Sequence, residues 1–290
     1  VLPAQSVQDE ASAERFKREA KVIARLEHPN ITPIHNFGID PVSQIPWMAM
    51  RLISGGTLSS RLTMRMTPQR AVSILRGVAD ALDYAHAKGV MHRDVKPANI
   101  LLDEAGRVYL ADFGIARLVE GATALTAAGL ISGTPVYMAP EQATGLALDH
   151  RCDIYALGVV AYEALAGKVP FAADNPIDVL MKHVQSPVPV IPELPAPVMD
   201  ALLKALAKKP QDRWESAGAL VNALEASIAQ MPAVGASPTT PAMAALPIST
   251  GGVVATAPAA THPPAAPTVI HAPSAPTVPP PPPPPAPTAA

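Results

Sequence analysis

Apolar residues recur along this chain with two periods, and the change between them divides it into elements. From Ser12 to Leu26 the spacing is helical: Phe16, Ala20 and Ile23 fall at i, i+4 and i+7, Glu27 follows at i+11, and Arg15, Lys17, Arg18 and Lys21 lie off the stripe. Glu14 and Arg18 are spaced for an i,i+4 pair, and His28-Pro29-Asn30 ends the helix because Pro29 disfavours helical geometry at His28. Ile31–Ile39 and Gln44–Ile53 read as strands, with Asp40-Pro41 turning between them. A second helix opens at Thr67-Pro68, carries Ala71, Ile74, Leu75, Val78, Ala81, Leu82 and Ala85 on a broad apolar face, and ends at Gly89. Ile154–Ala166 is apolar nearly all round but is broken by Glu163 and is too short to span a bilayer, so it reads as a buried helix.

Two short apolar runs, Ile100–Leu102 and Val108–Ala111, flank the turn sequence Asp103-Glu104-Ala105-Gly106 and predict a β-hairpin. In an antiparallel hairpin the start of one strand lies beside the end of the other, which brings Asn99 next to Asp112. An amide oxygen and a carboxylate, both hard oxygen ligands, then converge at one mouth and suit Mg²⁺. Asp94 and Lys96 sit on the loop that feeds the same mouth, so a base, a cation and two metal ligands come together through local geometry.

Composition changes this picture at one end. The chain has 290 residues with 22 Lys and Arg against 24 Asp and Glu, and none of these follows Glu225. The charged part is long enough for a sizeable core, as one large domain or two lobes. Its near-neutral balance gives no argument for nucleic acid or an anionic membrane. The single cysteine, Cys152, excludes an internal disulfide, fits a reducing compartment, and reads as packed rather than reactive. There is no secretory signal and no initiating Met, so Val1 is read as the start of a fragment. From Met231 onward Pro, Ala and Thr dominate, with an unbroken run from Pro279 to Pro285. Such a segment cannot bury enough apolar surface to fold alone, and reads either as a disordered, semi-rigid polyproline linker or as a docking site for a polyproline-binding partner.

The stretch His92-Arg93-Asp94-x-Lys96-Pro97-x-Asn99, then Asp112-Phe113-Gly114, then Ala139-Pro140-Glu141, resembles the signature set of protein kinases. Gly133-Thr134-Pro135-x-Tyr137-Met138-Ala139-Pro140-Glu141-Gln142 is similar to the bacterial eukaryotic-like (Hanks-type) serine/threonine branch, and the resemblance covers about residues 1–222. It implies an α+β, two-lobed protein-kinase fold with an incomplete small β lobe over 1–53, a mainly helical large lobe over 54–230 and a disordered Pro-rich linker over 231–290. The reaction implied is Mg-dependent transfer of the ATP γ-phosphoryl group to Ser or Thr hydroxyls of proteins, in bacterial signalling. Asp94 would accept the hydroxyl proton, Lys96 would neutralise charge on the transferring group, Thr134 would hydrogen-bond both, and Asn99 and Asp112 would hold Mg²⁺.

The same resemblance makes Met50 the gatekeeper, gives backbone groups of Arg51, Leu52 and Ile53 to adenine, and puts Leu101 under the ring. Arg51 departs from the acidic residue frequent at that hinge position. Glu19 borders the apolar face of its helix; it is either solvated or, as the resemblance implies, the partner of a strand Lys. Thr126 is either an autophosphorylation site whose phosphate would pair with Arg93 or an unmodified loop Thr; Thr123 and Ser132 are weaker candidates, and Ala128 replaces a second Thr. Asp153 is either a helix N-terminal charge or, by resemblance, a brace for the catalytic-loop backbone. Arg213 is either a surface charge or the buried partner of Glu141.

The Gly-rich loop and strand Lys that precede this helix in the family are not in the sequence, since no Gly occurs before Gly38. The chain is therefore expected to be truncated at its start and weakly active. A cytoplasmic location is expected, with the parent protein anchored in a membrane beyond residue 290 as one arrangement. Two rival readings are a catalytically impaired kinase-fold scaffold and a small-molecule kinase of the same fold.

Overall fold

Phe16 and Ala20 are fully buried and Ile23 nearly so, which fixes the helical stripe as the inner face of α1 (Glu10–Ile23). This computed structural model describes residues 10–62, 65–114 and 135–230, all within one unit spanning Val1–Ala236. The α1 helix stops short of Leu26 because its last turn tightens: Arg25 and Leu26 donate to Val22 and Ile23, three residues back, and Leu26 turns inward. The expected Glu14–Arg18 pair is replaced by Glu14 with Lys17 at 2.9 Å, an exposed i,i+3 contact.

β1 (Ile34–Ile39) pairs antiparallel with β2 (Pro46–Met50). Both are shorter than the apolar runs. Residues 30–32 are taken instead by the second hairpin: Leu110 donates to the Asn30 carbonyl at 2.7 Å and Thr32 donates to the Leu110 carbonyl at 2.9 Å. At the turn, one Asp40 carboxylate oxygen accepts from the amides of Val42 and Ser43, and Gln44 takes a φ of 55°, so β2 cannot begin there.

The remaining described elements are α2 (Pro68–Ala87), the hairpin β3 (Ile100–Leu102) and β4 (Val108–Leu110), α3 (Pro140–Thr144), α4 (Arg151–Ala166), α5 (Pro176–Gln185), α6 (Ala196–Ala205) and α7 (Ala217–Ala229). Thr67 caps α2 by accepting from the Arg70 amide, Pro68 stands at its first position, and Gly89, with a φ of 73°, follows its end. The core is formed where α2, α4, α6 and α7 pack together. Asp83 on α2 accepts from the amides of Ala217 and Gly218, both at 2.9 Å, and so caps α7 together with Ser216. α4 is buried along almost its whole length, and the Glu163 that interrupts its apolar run accepts the Tyr137 hydroxyl at 2.7 Å. Cys152 is buried on α4, and burial pushes its thiol pKa up, which leaves it inert. Among the described residues no helix is long and apolar enough to cross a membrane.

Candidate active site

The β3–β4 hairpin sets the register of the site. Ile100 pairs with Leu110, Leu101 with Tyr109 and Leu102 with Val108. The ladder gains one more rung where the Ala111 amide donates to the Asn99 carbonyl at 2.9 Å, and the next residue is Asp112. Asn99 is buried and its amide nitrogen donates to the backbone carbonyl of Asp94 at 2.9 Å and to the Asp94 carboxylate at 3.0 Å. The same carboxylate oxygen, Oδ2, accepts from Lys96 Nζ at 2.7 Å. With Nδ2 committed, the Asn99 amide oxygen is the atom left for a cation. Asp112 is exposed and has no ion pair among the described residues. An amide oxygen and an uncommitted carboxylate are a donor set suited to a hard divalent ion.

This loop is held in an unfavourable conformation. Arg93 and Asp112 have φ values of 63° and 57°, left-handed backbone that costs a non-glycine residue of order 1–3 kcal/mol. Several buried contacts fix it. Asp153, on α4, accepts from the amides of His92 at 2.8 Å and Arg93 at 2.7 Å and from His86 Nε2 at 2.7 Å. Burial works to raise the Asp153 pKa, but the hydrogen bond from His86 and the neighbouring imidazoles and backbone amide hold the carboxyl below its ordinary value. Gln142, just past Ala139-Pro140-Glu141, accepts from the Ala139 amide and donates to the Arg93 carbonyl, both at 3.0 Å. Gly114 packs directly on this loop: a Cβ there would stand 2.6 Å from the His92 carbonyl oxygen.

His92 is fully buried against Phe113, with ring centroids 4.6 Å apart. Its Nδ1 accepts from the Asp94 amide at 3.2 Å, so the ring proton sits on Nε2 and is donated to the Ala111 carbonyl at 2.9 Å. Burial lowers the His92 pKa. A second buried imidazole, His183, shares a hydrogen bond of 2.8 Å with the Tyr155 hydroxyl and is pushed down to about 4, again chiefly by burial. Both rings fold neutral and titrate near 6.5 when unfolded, so below about pH 6.5 the unfolded chain binds protons that the folded chain refuses. Stability is therefore expected to be level above that pH with respect to these groups. It should fall progressively between pH 6.5 and 4, which a series of thermal melts at fixed ionic strength would measure. A flat melting temperature across that window would contradict the buried neutral pair.

Met50 ends β2 and is half-buried, Ile53 is buried, and Leu52 is exposed. The Arg51 amide is already donated to the Pro33 carbonyl at 2.9 Å, so of its backbone groups only the carbonyl is left for adenine; the Ile53 amide makes no backbone hydrogen bond among the described residues. Leu101 is half-buried and bridged by Thr57, and the turn before Thr57 comes so close that a Cβ on Gly55 would lie 2.4 Å from the Leu102 carbonyl oxygen. Glu19 is half-buried, has no ion pair among the described residues, and lines a cavity of about 200 Å³ with Arg93, Phe113 and Gly114.

Farther from the mouth, Glu141 and Arg213 form a bidentate pair at 2.6 and 2.7 Å, both nearly inaccessible to solvent. Thr126 and Thr134, with Thr123, Ser132 and Ala128, lie outside the described residues, as does the chain from Met231. The sequence did not single out His86, which sits among ordinary helix-compatible residues, and it gave Gln142 only as the last residue of the Gly133–Gln142 motif, without a role; the packing of α2 and α3 gives each one.

Within the unit, α1 and a small antiparallel sheet come first in the chain, and mainly helical elements with one short hairpin follow. The class that this fold defines is the two-lobed α+β kinase. The chain belongs to the protein kinase domain family, which it matches over residues 2–224. It is 40% identical over 232 residues to the serine/threonine-protein kinase PknA of Mycobacterium tuberculosis, covering 78% of this chain and 54% of PknA. It is 41% identical over 236 residues to the serine/threonine-protein kinase Pkn1 of Myxococcus xanthus, covering 79% of this chain and 34% of Pkn1. For PknH of M. tuberculosis the figures are 41% over 226 residues, 76% and 36%. The chain thus spans about half the length of PknA and about a third of the other two. The family works with ATP and a divalent metal ion.

Proposed function

We propose that this chain transfers the γ-phosphoryl group of ATP to serine and threonine hydroxyls of protein acceptors. The observation that carries the reading is the Asp94–Lys96–Asn99 cluster. Both hydrogen bonds to the Asp94 carboxylate enter one oxygen, Oδ2, from Lys96 Nζ at 2.7 Å and Asn99 Nδ2 at 3.0 Å. The other oxygen is left to accept a proton from an incoming hydroxyl. Lys96, with one of its three donors on Asp94, has two left for the oxygens of the transferring group. Phosphoryl transfer needs little covalent help from the protein; positioning and charge stabilisation supply most of the acceleration.

Asn99 Oδ1 and the Asp112 carboxylate would hold Mg²⁺, which when bound offsets phosphate charge. Met50, the carbonyl of Arg51, the backbone of Leu52 and Ile53, and Leu101 would seat the adenine, and Glu19 would steady the nucleotide side from α1. Thr134 would complete the acceptor contacts, and a phosphate on Thr126 would order its segment through Arg93. Asp153, Glu141 and Arg213 act through the loops they hold rather than on substrate. Action on the cytoplasmic side and capture of the Pro-rich tail by a polyproline-binding partner belong to the same reading.

The test is Mg-ATP-dependent incorporation of labelled phosphate into a mixture of proteins, followed by phospho-amino-acid analysis. Label on Ser and Thr supports the reading. Label that appears only on a small-molecule acceptor, or no incorporation with any divalent ion, overturns it.

A further inference from the structure

Arg51 carries more than backbone at the hinge. Its guanidinium carbon lies 5.6 Å from the centroid of the Tyr109 ring, a cation–π contact. There it lines a cavity of about 450 Å³ together with Pro29, Ile31, Ser73, Arg107 and Tyr109, a volume within the range of ligand pockets. None of Asp94, Lys96, Asn99 or Asp112 lines this cavity, so it is separate from the candidate active site. Its walls come from the loop after α1, the outer face of α2 and the turn between β3 and β4. The loop and the hairpin are joined by the Asn30 side-chain amide, which donates to the Val108 carbonyl at 2.8 Å.

Its charge is unbalanced. Arg107 is spent on Asp103, which it meets at 2.6 Å. Arg51 has no carboxylate partner among the described residues, and neither has Arg70, whose Nη2 would stand 3.4 Å from a Cβ on the cavity residue Gly106. Neither Glu104, which accepts the Ser54 hydroxyl, nor Asp80 on α2 forms an ion pair with either arginine among the described residues. Two uncommitted guanidiniums beside an apolar wall stand out in a chain whose formal net charge is −2. Planar guanidinium forks match carboxylates, and a hydroxyl from exposed Ser73 adds a donor.

We propose that this cavity docks an acidic segment of a protein partner. Glutamate or aspartate carboxylates would engage Arg51 and Arg70, and an adjacent apolar side chain would rest on Pro29, Ile31 and Tyr109. The proposal goes beyond phosphoryl transfer, because binding is read without turnover and survives or fails independently of it.

The probe is a fluorescein-labelled peptide with four consecutive glutamates flanked by leucines, titrated with the full chain and followed by anisotropy. Binding should weaken as salt rises from about 0.05 to 0.5 M, because partly exposed charges are screened. It should be unchanged by saturating Mg-ATP. The Arg51→Glu/Arg70→Glu double variant should lose about tenfold in affinity or more, some 1.4 kcal/mol, and Lys168→Glu should lose nothing. Ser73→Asp, on an exposed helix face, should weaken binding similarly and keeps the test decisive if the double variant melts early. Equal binding by wild type, the double variant and Ser73→Asp overturns the proposal. So does equal affinity for a peptide with glutamine in place of glutamate, displacement by Mg-ATP, or no binding at low salt.

Discussion

Replacing Asp94 by Asn should lower kcat for phosphate transfer by roughly 10²–10⁴-fold, the contribution typical of a positioned general base. The substitution keeps the shape of the side chain. An Asn oxygen can still accept from Lys96 Nζ and Asn99 Nδ2, the two donors that now meet Asp94 Oδ2. The free position, however, becomes an NH₂ group that donates where the acceptor hydroxyl must lose its proton. The KM for ATP should stay within about twofold. The melting temperature should move by no more than about 4 °C, because Asp94 and Lys96 are partly solvated and a pair of that kind contributes about 1 kcal/mol or less. Steady-state incorporation of labelled phosphate and a thermal melt on the same preparation measure both. A variant that retains a third of wild-type kcat would remove Asp94 from the chemistry.

Replacing Arg213 by Ala should be the most damaging single change to stability, at about 3–5 kcal/mol. Arg213 uses every donor it has. Nε donates to the Ala207 carbonyl, Nη1 to Glu141 and the Arg151 carbonyl, and Nη2 to Glu141 and the Lys208 carbonyl. Its plane also lies against Tyr155, with the guanidinium carbon 4.7 Å from the ring centroid. Truncation leaves the Glu141 carboxylate buried without a counter-charge and strands three carbonyls. For a domain of this size each kcal/mol is worth about 2–4 °C, so the melting temperature should fall by roughly 6–20 °C. The double variant Glu141→Leu/Arg213→Met should recover part of that loss, because replacing both members of a buried pair removes the uncompensated charge. A melting temperature for Arg213→Ala within 2 °C of wild type would contradict the buried bidentate geometry as the source of stability.

The local elements were largely legible because each is written in a short window. The stripe of Phe16, Ala20 and Ile23 marks α1, Thr67-Pro68 and Gly89 bound α2, and the Asp-Glu-Ala-Gly turn fixes the β3–β4 hairpin and with it the adjacency of Asn99 and Asp112. Strand ends were less legible. Ile31 and Thr32 look like the start of β1 by apolar pattern, yet their backbone is taken by Leu110, a residue far along the chain. Helix pairing was less legible too: the i,i+4 spacing gave Glu14 to Arg18, and the exposed carboxylate meets Lys17 at i,i+3 instead.

At the site, the sequence named the residues at the mouth, because one loop and one hairpin deliver them all. It left Asp153 and Arg213 between a surface role and a buried one, since an acid near a helix start and a basic residue in a turn read the same in either case. Their partners decide the matter, and those partners come from other elements. Asp153 receives the amides of His92 and Arg93 and the imidazole of His86 on α2, and Arg213 receives Glu141 of α3. His86 carried no signal at all, Gln142 entered only as the last residue of a motif, and the side chain of Arg51 was read only as a departure from a pattern. The sequence by itself determined the helices, the hairpin and the chemical inventory at the mouth, because hydrophobic period, turn residues and short-range register act over a few residues. Only the tertiary structure decided which buried charges are paired, which backbone is held in left-handed conformations, and that Arg51 and Arg70 flank a separate cavity. Burial and partner choice depend on chain segments that meet in space and are remote in sequence.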